Sequence, residues 1–146
     1  MAASPLIILT GSAKFGESAT TNTDYSCWVT ALTVTRRRNL IDIPATMCDG
    51  QASQRAGTTQ DELTISWIGD NEAASFWAEL WDVIGTDSAE LYFECTLKSG
   101  SVSTDNPEYS GTIIVAEVPV GGTVGELSTG SATFPVIPPG VGTAYS

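Results

Sequence analysis

Two stretches of the chain alternate apolar and polar residues with a period of two. Leu63, Ile65 and Trp67 interleave with Glu62, Thr64 and Ser66, and Leu91, Phe93, Cys95 and Leu97 interleave with Glu90, Tyr92, Glu94, Thr96 and Lys98. Successive side chains of a strand point to opposite faces, so each stretch predicts a strand with one face in a core and one polar face. Segments 6–10, 27–36, 112–118 and 130–136 are also rich in Val, Ile, Thr or aromatic residues and are bounded by Gly, Asp, Asn, Ser or Pro. Strands at this spacing predict a mainly β fold of two packed β-sheets, sandwich- or barrel-like.

Over residues 70–85 the period changes. Ala73, Phe76, Trp77, Leu80, Trp81 and Ile84 recur at i, i+3, i+4 and i+7, with Glu72, Ser75, Glu79 and Asp82 on the other side. That pattern predicts one amphipathic α-helix flanking the sheets, capped by Asp70 or Asn71 and stopped at Gly85. Large rings bury large areas, so Phe76, Trp77, Leu80 and Trp81 are expected to anchor the helix in the core. A stacking platform for a sugar or base is the other use open to Trp77 and Trp81.

Two regions carry no pattern of either kind. Residues 44–60 are polar and rich in Gly, Ser, Thr and Gln, which predicts a long loop. The chain from Pro135 onward is rich in Pro and Gly and predicts an extended end with little to pack. The organisation that follows is one domain over 1–137, with the loop 44–60 within it and a flexible tail over 138–146. No internal repeat is present.

Composition narrows the function. The 146 residues are 42% hydrophobic with four tryptophans, enough for a globular core. Six basic residues stand against seventeen acidic ones, for a net charge of −11. Phosphate affinity comes from clustered Lys and Arg, so sequence-independent nucleic-acid binding is disfavoured. No stretch approaches the roughly 20 apolar residues that span a membrane, and the start lacks a basic, apolar leader, so synthesis and retention in the cytoplasm are expected. Cys27, Cys48 and Cys95 are widely spaced and read as free thiols.

Candidate chemistry is sparse. The chain has no histidine, which removes Ser-His and Cys-His pairs, His metal ligands and the commonest general base. Lys14 and Lys98 sit in no dyad motif. Asp105, Asn106 and Glu108 lack the register of a calcium loop, and GGTVGE at 121–126 precedes a β-like segment, not a helix N-terminus. No catalytic residue, cofactor site or metal site is expected, and the chain does not read as an enzyme.

One feature stands against the acidic background. Arg36, Arg37 and Arg38 hold half of the positive charge in three consecutive positions. On a strand Arg36 and Arg38 point one way and Arg37 the other. They are either a strand end running into solvent or a contact between subunits, where a compact positive patch offsets the repulsion between acidic copies.

The order of elements resembles a known family. A long polar loop before ELTISWIGD, the segment NEAASFWAELWDVIG, then AELYFECTLKSG, SGTIIVAEVPVGGTVGE and a closing GSATFPV look like the major tail tube protein of long non-contractile-tailed bacteriophages, over most of residues 5–137. The resemblance implies a virion protein of the tail, made in the host cytoplasm, whose partners are copies of itself in stacked hexameric rings and other tail proteins at the tube ends. DNA passes through such a tube to the host without specific binding. The resemblance further implies that the loop 44–60 contacts the next ring, that Arg36, Arg37, Arg38 and Arg55 lie at subunit interfaces, and that Glu62, Glu90 and Glu94 are candidates for a lumen wall that repels the duplex. Two other readings remain open: a capsid decoration or head-tail joining protein, and a carbohydrate-binding β-sandwich using Trp28, Tyr92 or Tyr109.

Overall fold

The computed structural model describes residues 10–145. Of the strand predicted over 6–10, all but Thr10 lies outside the described residues. The chain is mainly β with a single helix: β1 (Ser12–Gly16), β2 (Asn22–Asp24), β3 (Val29–Ile43), β4 (Ser53–Ile68), α1 (Phe76–Ile84), β5 (Glu90–Thr96), β6 (Glu108–Ile114), β7 (Thr129–Val136) and β8 (Gly142–Ala144). All pairings are antiparallel, in the order β2-β1-β5-β6-β7-β4-β3, with β8 also on β6.

The eight strands form one hydrogen-bonded sheet whose two halves wrap a common core. The halves, β2-β1-β5-β6 and β7-β4-β3, are joined at a single pair, Ile113 opposite Val136. Pro135, which has no N–H to give a ladder, stands immediately before that pair. Alternation decides what enters the core: Leu63, Ile65 and Trp67 of β4, Leu91, Phe93 and Cys95 of β5, and Ala132, Phe134 and Val136 of β7 are buried, with their neighbours outward. Phe76 at the start of α1 spans the two halves, with ring centroids 4.8 Å from Phe15 and 5.5 Å from Trp67. Gly130 gives Trp67 its place, because a Cβ there would fall 2.6 Å from the indole.

Three sequence expectations need correction. The helix is nine residues long, starting after Ser75; 70–71 are irregular and 72–75 form a turn instead. Asp70 caps nothing in α1; its carboxylate takes the Trp28 indole N–H at 3.1 Å and the Glu72 N–H at 3.1 Å. With Ala73 outside the helix, the buried stripe centres on Phe76 and Leu80, Trp77 lies on its flank, and Trp81 is turned out at 61% exposure. Phe76, Trp77 and Leu80 are therefore core anchors and Trp81 is not.

The other two corrections concern backbone pairing. Only 44–52 of the expected loop lies between strands; residues 53–60 are the outer half of β4, paired with β3 from Arg37 opposite Gln60 to Ile43 opposite Ser53. The tail also folds back: β8 pairs with β6, Glu108 opposite Ala144, and Val141 is buried.

Candidate assembly surfaces

The most unusual element is the β3–β4 hairpin. Its inner half, from Val29 to Arg36 on β3 and from Asp61 to Ile68 on β4, belongs to the sheet. Beyond Asp61, β4 has no partner but β3, and the hairpin continues as a two-stranded arm with solvent on both faces. The arm carries Leu40, Ile41 and Met47 in exposed positions. An isolated two-stranded ribbon in water has marginal stability, so an arm of this length with apolar side chains on its surface is fitted to packing against something else.

Charge divides the same way. The hairpin over 29–68 holds Arg36, Arg37, Arg38 and Arg55 against Asp42, Asp49, Asp61 and Glu62, a net charge of zero. Everything else has Lys14 and Lys98 against the other thirteen acids, so the body carries the whole −11. Within the hairpin, the projecting arm holds Arg37, Arg38 and Arg55 against Asp42 and Asp49, so it is free of the negative excess that the rest of the chain carries.

The expected interface arginines separate into two pairs. Arg36 Nε lies 3.6 Å from Asp61 Oδ1, and Arg37 reaches Glu62 Oε2 at 3.4 Å, both within the hairpin. Arg38, opposite Thr59, and Arg55, opposite Ile41, make no ion pair among the described residues and stand on the arm. The partners of Arg36 and Arg37 were hidden in sequence because they lie 25 residues away across the hairpin.

Asp61 marks the root of the arm. Its side chain is buried, Oδ2 accepts the Val141 N–H at 2.8 Å, and Oδ1 receives no hydrogen bond. Gly140, at φ +91°, packs so closely that a Cβ would meet Asp61 Oδ2 at 2.5 Å. One carboxylate thus ties the turn before β8 to the point where β3 and β4 leave the core.

Glu62, Glu90 and Glu94 share the outward parity, but on opposite halves of the sheet: Glu62 on β4, and Glu90 and Glu94 on β5, three strand spacings away. Glu62 is compensated by Arg37, and Glu94 lies opposite Lys14 and accepts the Tyr92 hydroxyl at 3.0 Å. Next to Glu94, burial and the Glu94 charge push the Glu108 carboxyl up, with Lys14 opposing. A second acidic spot surrounds α1, where burial and then the Asp82 charge raise the Glu79 carboxyl while the Tyr25 hydroxyl opposes.

No protein-family model matches the chain, and no curated protein matches it. Among the described residues no group of three or more His, Cys, Asp or Glu side chains is placed to hold a metal ion, and no helix is long and apolar enough to cross a membrane. Cys27 and Cys48 are exposed, whereas burial, with the Glu108 charge adding, pushes the Cys95 thiol up to about 12.

Proposed function

We propose that this chain is a virion structural protein that assembles with copies of itself, through the β3–β4 arm, into the stacked hexameric rings of a phage tail tube that conducts DNA to the host. The observation that carries self-assembly is the arm: a two-stranded projection whose Arg37, Arg38 and Arg55 outweigh Asp42 and Asp49, bearing exposed Leu40, Ile41 and Met47 on a chain of net charge −11. Burying these side chains in a neighbour offers roughly 1.5–3 kcal/mol each on full burial, and many identical contacts along a tube add. The ring, the tube and the conduit rest on the likeness in element order to tail tube proteins. Arg38 and Arg55, which make no ion pair among the described residues, are the cations suited to a neighbour's carboxylates, and the acids of the body suit a conduit that does not retain DNA.

Negative-stain microscopy of the purified protein at rising concentration tests this. Wild-type protein should give tubes of constant diameter, and Leu40→Asp/Ile41→Asp should stay monomeric with unchanged thermal stability. Assembly that stops at single rings favours a decoration or joining role, and a chain that stays monomeric at millimolar concentration overturns self-assembly.

A further inference from the structure

The outer side of α1 grades from apolar to acidic. Trp81 and Ile84, three residues apart and so neighbours on the helix surface, both stand in solvent. At 3.6 residues per turn, Ala78 and exposed Asp82 come next around the helix and Glu79 lies beyond them. Burial first, then the Asp82 charge and, less strongly, the Glu17 charge push the Glu79 carboxyl up against the opposing Tyr25 hydroxyl, so these three acids are close enough to feel one another. Nothing nearby offsets them. No Lys or Arg occurs between Arg55 and Lys98, none of the three acids makes an ion pair among the described residues, and the last turn of α1 holds no basic side chain, although the carbonyl end of a helix favours a cation.

The arm carries the complementary arrangement. Ile41 stands directly opposite Arg55 and lies over Gly57, where a Cβ would come 3.2 Å from its Cδ1, and Ile43 shares that face by the period of two. Asp42 is on the other face, where its carboxylate takes the Gln54 amide at 2.8 Å. Arg55 makes no ion pair among the described residues. A guanidinium suits both a carboxylate and the face of an indole. Ile41 and Trp81 both remain exposed, so the two surfaces do not cover each other within one chain.

We infer that the Ile41–Arg55 face of the arm docks on the outer side of α1 in a second copy of this chain, with Ile41 and Ile43 against Trp81 and Arg55 toward Asp82 and Glu79. The inference rests on the reading of the arm as the element of self-assembly and names the surface that receives it. Giver and receiver are different patches, so the contact is heterologous: each copy that gives its arm keeps a helix face free for another, and addition repeats until a ring closes or a filament grows.

Two variants, each disabled on one side, test the pairing. Trp81→Ala/Asp82→Lys removes the receiving face and Ile41→Asp/Arg55→Glu the giving one; all four positions are exposed, and thermal melts confirm that both variants fold as the wild type does. Each alone should need about 10- to 100-fold more protein than the wild type to assemble in sedimentation velocity. Mixed, they should form a one-to-one dimer that grows no further, because one intact arm meets one intact face. In the assembled protein, Ile41→p-benzoylphenylalanine should photocrosslink to residues 76–85 of another molecule. If Trp81→Ala/Asp82→Lys assembles at the wild-type concentration, if the mixture gives no dimer, or if the crosslinks fall elsewhere, α1 is not the receiver, while assembly through the arm still stands. A wild-type chain that stays monomeric overturns both.

Discussion

Replacing Asp61 separates what holds the segment after β7 in place from what holds the core. In Asp61→Ala the Val141 N–H loses its acceptor in a site too buried to offer water, which costs about 1–3 kcal/mol. The lost ion pair adds little, ~0–1 kcal/mol, because the Arg36 side chain is 63% exposed and returns to solvent. Some of the loss is recovered, since Oδ1 is buried without a hydrogen-bond donor and its removal relieves that penalty. The net expectation is a destabilisation of about 1–3 kcal/mol, or a melting temperature lower by roughly 2–10 °C at this chain length. Asp61→Asn keeps an acceptor for Val141 and should lose less. Urea unfolding measures the total, and hydrogen exchange locates it: the amides of Gly142–Ala144 should lose protection in Asp61→Ala before those of β4 or β5 do. If Asp61→Ala is as stable as wild type, or if β8 keeps its protection, the carboxylate is not what ties β8 to the arm root.

The tryptophans of α1 give the sharpest contrast between neighbours. Trp77→Ala should cost about 3–5 kcal/mol in chemical unfolding, whereas Trp81→Ala, at an exposed site, should fall within about 0.5 kcal/mol of wild type; similar losses for both would contradict the observed helix register. A thiol reagent at pH 8 should modify Cys27 and Cys48 in the native protein and reach Cys95 only on unfolding; three fast thiols in the folded chain would be inconsistent with its burial. Glu79 and Glu108 both hold their protons more tightly folded than unfolded, so stability should fall as pH rises from about 4.5 through their raised values. The double variant Glu79→Gln/Glu108→Gln should flatten that slope in urea titrations run across pH 4–7, and an unchanged slope would assign it to other groups.

The parts of the fold that sequence foretold are those with one wet and one dry face. Period two at 62–67 and 90–97 marked the buried residues of β4 and β5 because alternation is imposed by the pleat and the core together. The outer half of β4 is not legible for the same reason in reverse: SQRAGTTQ is wet on both faces, so nothing alternates, and only the pairing with β3 makes it a strand. β8 is three exposed residues held by β6 and by Asp61, neither visible from PPGVGTA. Trp81 falls on the apolar stripe only if the helical period runs through Ala73, whereas a helix begun at Phe76 has room for a narrower stripe. The arginine triplet was conspicuous as composition, yet which arginines are spent inside the chain depends on a cross-strand register that composition does not encode.

The pairing of β4 with β7 governs when the protein becomes a protein. Leu63 lies opposite Phe134, and Trp67 depends on the gap left by Gly130, so the middle of the sheet waits for residues 129–136. Contacts this distant in sequence slow folding, since the chain must close a long loop before any of them forms. On the ribosome the consequence is a delay. The β3–β4 hairpin, whose strands are consecutive and joined through residues 44–52, emerges early and can pair locally, but the core beneath it is unfinished until synthesis has passed β7. A nascent chain therefore displays the arm before the core that anchors it is complete, and that half-built state, with its apolar strand faces still uncovered, is the one most open to misfolding.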